Sequence, residues 1–195
     1  MAAAPTVCPI GYYCQAGTAN TTMSRCSGGA YGSSTGLQSP ACSGYCSAGY
    51  YCPPGATSAQ AAQCNTSAVY CPAAVQAPVS VSSGYYSVPV GGLQASAQIP
   101  CGVGSYCYLG VQIPCPAGVY GNLAQAISPA CAGPCAGGYY CPAASTKATA
   151  VPCGNVTVYC PPGSSGPLPV LSGYYSVGIA DVTTQSAQAL CPVGS

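Results

Sequence analysis

Cysteine returns along this chain in a fixed register. Cys8, Cys14, Cys26, Cys42, Cys46, Cys52, Cys64 and Cys71 come back as Cys101, Cys107, Cys115, Cys131, Cys135, Cys141, Cys153 and Cys160, and Cys191 opens a third copy. The first two return after 93 positions and the other six after 89, so the one change of length falls between Cys14 and Cys26. A register this strict describes one covalent framework used repeatedly. Seventeen cysteines in 195 residues is the density of a chain stapled by disulfides instead of held by one oily core, and it points to an oxidising compartment.

Arg25, Lys147 and Asp181 are the only charged residues. That leaves almost no electrostatic means of holding DNA, RNA or anionic lipid. A surface so poor in charge needs cover, from neighbouring subunits or from carbohydrate. Gly, Pro, Ser or Thr interrupts every apolar stretch before it reaches membrane-spanning length, so no direct membrane span is expected. The first residues, Met1-Ala-Ala-Ala-Pro-Thr-Val-Cys8, lack the pattern of a secretory signal. At the other end Cys191-Pro-Val-Gly-Ser195 matches Cys8-Pro-Ile-Gly, so the sequence reads as a section of a longer array in which the partner of Cys191 lies beyond Ser195.

Inside each copy one motif occurs twice. Cys8-Pro-Ile-Gly-Tyr-Tyr-Cys14, Cys46-Ser-Ala-Gly-Tyr-Tyr-Cys52 and Cys135-Ala-Gly-Gly-Tyr-Tyr-Cys141 carry its full form, and Cys101-Gly-Val-Gly-Ser-Tyr-Cys107 is a variant. Two further cysteines follow each motif, so every module can close with two internal bridges. The glycine predicts a positive-φ turn, and the tyrosines after it a short strand with alternating faces. Segments such as Tyr31-Gly32-Ser33-Ser34 and Pro53-Pro54-Gly55 are turn chemistry, and helical periodicity is missing. The expected fold class is small disulfide-rich modules in tandem: short β-ribbons and irregular loops, little or no helix, in an elongated array.

The divisions read 1–45 and 46–72 as two modules, 73–100 as a cysteine-free linker, 101–134 and 135–161 as two more modules, 162–190 as a second linker and 191–195 as the start of a further repeat. The linkers centre on Ser83-Gly84-Tyr85-Tyr86-Ser87-Val88 and Ser172-Gly173-Tyr174-Tyr175-Ser176-Val177, the module motif with serine at the second cysteine. Alternation at Val79, Val81 and Tyr85 predicts strand pairing there. Contacts between modules or between chains are expected in these linkers.

The run Cys115-Pro-Ala-Gly-Val-Tyr-Gly, followed by Ser128-Pro-Ala-Cys131-Ala-Gly-Pro-Cys135-Ala-Gly-Gly-Tyr-Tyr-Cys141-Pro-Ala, resembles the ephrin-receptor-like cysteine-rich repeat. The first copy, from Cys26-Ser-Gly-Gly-Ala-Tyr-Gly to Cys46-Ser-Ala-Gly-Tyr-Tyr-Cys52-Pro-Pro, carries the same signature. The resemblance implies a tandem array in a large extracellular protein of the kind found in algae, oomycetes and other protists, flagellar hairs or surface filaments among them. In related form it implies a receptor ectodomain. The family is a building material with many uses, so it specifies the module and not the function.

Four cysteines allow three pairings, and the sequence does not choose among them. By similarity to small growth-factor-like modules the expected pattern is crossed, first with third and second with fourth. That gives Cys8 with Cys26, Cys14 with Cys42, Cys46 with Cys64 and Cys52 with Cys71, then Cys101 with Cys115, Cys107 with Cys131, Cys135 with Cys153 and Cys141 with Cys160. Loops of that size each restrict the unfolded chain by about 3 kcal/mol.

Catalysis has almost no residues to use: the chain has no histidine or glutamate, one aspartate and one lysine. Acid–base pairs, triads and carboxylate dyads cannot be assembled from that set, and the chain is read as a non-enzyme without cofactor. Thiolates at Cys42 and Cys46, or at Cys131 and Cys135, could meet at zinc, but Cys-x-x-Cys knuckles are missing and no metal is expected. Glycosylation is the stronger chemical signal. Asn20-Thr-Thr22, Asn65-Thr-Ser67 and Asn155-Val-Thr157 are acceptor sequons and use three of the four asparagines. The seventeen tyrosines are expected to shield bridges and fill a thin interior.

Together these features predict an extracellular, secreted or cell-surface structural subunit of a glycosylated filament, appendage or coat. Its expected partners are further copies of itself and covalent glycans. The alternative is the stalk or ligand-binding ectodomain of a receptor.

Overall fold

The computed structural model describes residues 7–15, 23–89, 93–179 and 181–192. Among them no helix occurs, and the short strands form ten two-stranded sheets, each joining neighbours in sequence. The first five hairpins are β1 (Tyr12–Tyr13) with β2 (Ser24–Arg25), β3 (Ala30–Tyr31) with β4 (Gly44–Tyr45), β5 (Tyr50–Tyr51) with β6 (Ala62–Gln63), β7 (Val69–Tyr70) with β8 (Val79–Ser80), and β9 (Tyr85–Val88) with β10 (Ala97–Pro100). The second five are β11 (Ser105–Tyr108) with β12 (Val111–Pro114), β13 (Val119–Tyr120) with β14 (Gly133–Pro134), β15 (Tyr139–Tyr140) with β16 (Val151–Pro152), β17 (Val158–Tyr159) with β18 (Leu168–Pro169), and β19 (Tyr174–Gly178) with β20 (Gln185–Leu190).

A sequence motif that occurs twice per copy therefore belongs to a hairpin that occurs five times. The shared signature is tyrosine at the second position of every leading strand: Tyr13, Tyr31, Tyr51, Tyr70 and Tyr86, then Tyr106, Tyr120, Tyr140, Tyr159 and Tyr175. Val79, Val81 and Tyr85 do not lie on one strand. Val79 pairs with Tyr70 across β7 and β8, and Tyr85 opens β9 after a turn at Ser83–Gly84. The fourth hairpin runs across position 72/73 and the ninth across 161/162.

Most leading strands are entered by the same turn. Tyr12 N–H donates to the Pro9 carbonyl at 3.2 Å with Gly11 at φ +78°, and Tyr50 N–H to the Ser47 carbonyl at 3.1 Å with Gly49 at φ +85°. Positive φ at the third turn residue is the type II requirement that glycine meets without steric cost.

By packing, the chain divides into two compact units. The first holds the described residues up to Ser82, with Tyr86–Ile99 and Leu109–Val111; the second holds Ser83–Tyr85, Pro100–Tyr108 and the described residues from Gln112 on. In the first unit the second hairpin meets the third through three backbone hydrogen bonds. Gly29 N–H donates to the Cys52 carbonyl at 2.8 Å, Gly32 N–H to Ala56 at 2.9 Å, and Gly55 N–H back to Cys26 at 2.9 Å. In the second unit the same bonds recur 89 positions on: Gly118 N–H to Cys141 at 2.8 Å, Gly121 N–H to Ser145 at 2.9 Å, and Ala144 N–H back to Cys115 at 2.8 Å. The residue donating the return bond sits at positive φ, including the non-glycines Ala74, Gln94, Gln125 and Ala144.

What is buried is sulfur. The buried apolar residues among those described are thirteen cysteines with Ala30 and Ala95 only. With no oily interior, hairpins of this size depend on covalent closure and on backbone pairing with the next hairpin.

Candidate functional site

The stapled hairpin is the unit from which any function of this chain is built. The structure joins Cys8 to Cys14, Cys26 to Cys42, Cys46 to Cys52 and Cys64 to Cys71, then Cys101 to Cys107, Cys115 to Cys131, Cys135 to Cys141 and Cys153 to Cys160. The crossed pairing of Cys8 with Cys26, Cys14 with Cys42, and their counterparts is overturned. The reason lies in the turn. It folds Cys-x-x-Gly-x-x-Cys back on itself, leaving Cys8 and Cys14 with Cα atoms 5.9 Å apart and Cys46 and Cys52 5.8 Å apart, within disulfide reach. Cys8 and Cys26, by contrast, lead successive hairpins.

The second and seventh hairpins explain why a longer loop occurs once per copy. Gly32 and Gly121 stand where the other hairpins place their second cysteine, and a Cβ there would lie 2.8 Å from Cys26 Sγ and 2.7 Å from Cys115 Sγ. With no thiol at that point, Cys26 reaches 16 residues on to Cys42, and Cys115 likewise to Cys131. The Cys42 and Cys46 sulfurs, weighed above as zinc thiolates, belong to two different bridges. Among the described residues no group of three potential ligands could hold a metal ion. Cys191 is the one free cysteine, and it is exposed.

Two of the three sequons lie on equivalent turns, just after the leading cysteine of the fourth and ninth hairpins. Asn65 and Asn155 are exposed; Asn20 lies outside the described residues. The Asn155 carboxamide oxygen accepts the Thr157 N–H at 2.9 Å and its hydroxyl at 2.5 Å, a turn that holds acceptor asparagine and threonine side by side.

The charged side chains are scattered. Arg25 Nε donates to the Tyr12 hydroxyl at 3.2 Å, with the guanidinium 6.0 Å from that ring centre. Asp181 accepts the Thr183 hydroxyl at 2.6 Å and the Thr183 N–H at 2.7 Å, and these bonds, the hydroxyl first, hold its carboxyl below the ordinary value.

The residue that sequence reading missed is the tyrosine common to all ten leading strands. Its signal was present as tyrosine returning every fourteen to twenty residues, but the cysteines hid it, because the second, fifth, seventh and tenth hairpins lack the second cysteine.

Eight bridges with no helix make this a disulfide-stabilised protein of the secreted or extracellular kind. Compared with known protein families and with curated proteins, the chain matches none. No helix among the described residues is long and apolar enough to cross a membrane.

Proposed function

We propose that this chain is a structural subunit of an extracellular glycosylated filament, appendage or coat, of the kind the ephrin-receptor-like resemblance implies, and that it carries out no catalysis. One observation carries the reading: the three hydrogen bonds from hairpin to hairpin recur unchanged 89 positions apart. A ligand-binding ectodomain concentrates its chemistry at one place, in a few anchors. Here the hairpins are interchangeable, which suits a material whose job is to repeat. The near absence of charge fits a surface covered by neighbouring copies and by sugar at Asn65 and Asn155.

The experiment is electron microscopy of the native assembly together with mass spectrometry of its unreduced peptides. Filaments or sheets containing this chain, with hexosamine-bearing peptides at Asn65 and Asn155, are the expected result. A monodisperse monomer in the native material, with both asparagines bare, would sink the proposal.

A further inference from the structure

The fifth and tenth hairpins are the same element 89 positions apart, yet only the fifth is covered. Over the fifth lies the turn Leu109–Gly110: Ser87 N–H donates to the Gly110 carbonyl at 3.0 Å, Tyr86 bridges Gly110 in parallel, and the Ser67 hydroxyl donates to the Leu109 carbonyl at 3.1 Å. Gln125 also reaches Tyr85, its amide donating to the phenol oxygen at 2.8 Å. Under this cover Ser87 is only 2% exposed and Gly84 is buried. The same positions in the tenth hairpin lie open. Tyr174 is 37% and Tyr175 49% exposed, Leu171 is 57% exposed, and an added Cβ on Gly173 would meet nothing within 4 Å. They form a groove of about 570 Å³, walled by Val156, Val170, Leu171, Gly173, Tyr174 and Tyr175. Ser176, which also lines it, holds the place of the ladder donors Cys52, Ser87 and Cys141.

We propose that this groove seats the first hairpin of a second copy of the chain, head to tail, as the fifth hairpin seats the sixth. This rests on the self-assembly reading above and names its contact. The occupant is identified by what the earlier joint demands. A Cβ on Gly110 would stand 1.8 Å from the Ser67 carbonyl, so only a glycine three positions after the second cysteine fits. The first hairpin carries one at that position: Cys14-Gln15-Ala16-Gly17 aligns with Cys107-Tyr108-Leu109-Gly110. Residues 16–22 lie outside those described, and sequence alone assigns this turn. Cys191 and Pro192, both exposed, occupy the place of Cys101 and Gly102 and must swing aside. The Cys191 N–H bond to the Gly173 carbonyl, 2.9 Å, is then replaced by one from Cys8 of the second copy, as Cys101 N–H bonds Gly84 at 2.8 Å in the internal joint. Such a contact joins two different faces and does not close on itself, so it propagates.

Sedimentation velocity of the unreduced chain tests the proposal with two variants, Leu171→Glu in the groove and Gly17→Val in the incoming turn. The wild type is expected to form a concentration-dependent series of oligomers, and each variant alone to associate at least a hundredfold more weakly. An equimolar mixture has one intact groove and one intact turn per pair. It should give mixed dimers and nothing longer, which also shows that both variants fold. A wild type that stays monomeric at millimolar concentration overturns both this contact and self-assembly. Oligomers unaffected by either variant leave assembly standing through another face and overturn the groove. A mixture that stays monomeric or regains long oligomers overturns head-to-tail docking.

Discussion

Gly29 and Gly173 hold the same motif position at nearly the same backbone angle, φ +87° and +85°, in different surroundings. Replacing each with alanine separates the conformational requirement from the packing one. Alanine at positive φ costs about 1–2 kcal/mol in either place. At Gly173 nothing else is asked, since no atom lies within 4 Å of the new Cβ. At Gly29 the Cβ would lie 2.2 Å from the Ala74 carbonyl oxygen, more than an ångström inside contact, so the fourth hairpin must back away from the second. That movement stretches Gly29 N–H to Cys52 (2.8 Å), Cys46 N–H to Gly29 (2.9 Å) and Ala74 N–H to Cys46 (3.0 Å) past useful length. At about 1 kcal/mol each, Gly29→Ala should be the worse variant by about 2–3 kcal/mol. Amide hydrogen exchange at low protein concentration reads this locally. Exchange at Cys46 and Ala74 should accelerate by roughly thirty- to two-hundredfold beyond the shared conformational cost, while Gly173→Ala should raise exchange at Cys191 by about tenfold. Equal losses in the two variants, or an Ala74 amide that does not respond, would show that close approach between hairpins is not what requires the glycine.

Thiol titration of the native chain should find one reactive group, Cys191, and mapping of unreduced peptides at low pH should recover Cys8–Cys14 and Cys46–Cys52; a Cys8–Cys26 peptide would mean that the hairpin is not the covalent unit. The fifth hairpin has Val81 and Ser87 where the sixth has Cys101 and Cys107, and Ser87 Oγ is buried without a partner among the described residues. The double variant Val81→Cys, Ser87→Cys should therefore close a ninth bridge and gain about 2 kcal/mol from the shorter unfolded loop; three titratable thiols in place of one would refute the equivalence. The Asp181 carboxyl lies below its ordinary 3.8, so its contribution is present above the unfolded value and is lost as pH falls through the folded one. Stability should accordingly be flat from about pH 4 to 8 in the absence of reductant. Thr183→Val should move the Asp181 midpoint upward in a carbon NMR titration, and a large structural loss near pH 5 would contradict the assignment.

Much of the fold was legible because sulfur spacing and turn chemistry are local. The glycine of Cys-x-x-Gly-Tyr-Tyr-Cys announced the positive-φ turn, and the tyrosines after it the strand. The pairing was not legible as read, although the same glycine held the answer: a type II turn followed by two extended residues returns the chain to its start, so the nearest cysteine is also the next one. The fourth and ninth hairpins were hidden by an extra residue before Val69 and Val158, which shifts the motif by one. The hairpin ladder was out of reach for a different reason. It is made by backbone groups, and its return donors include Ala74, Gln94, Gln125 and Ala144 at positive φ, residue types that give no warning of that conformation. Of the sequons, sequence found the positions, and only the fold could place Asn65 and Asn155 on equivalent exposed turns.

The fifth and tenth hairpins have serine where a sulfur would close them, so no internal bridge fixes their shape. A two-stranded hairpin without a staple is marginal in water, and its order must come from a neighbour. For the fifth, the neighbour is the Leu109–Gly110 turn, which hides Ser87 and half-buries Tyr86. Every other hairpin is covalently closed by itself. The unstapled element is therefore the one place in each copy where order depends entirely on contact, and where contact can be made or withheld without breaking a covalent bond. A chain that adds copies needs such a position, because a fully stapled end gains little structure by docking. The tenth hairpin, with longer strands than its relatives and both tyrosines exposed, stands to gain the most.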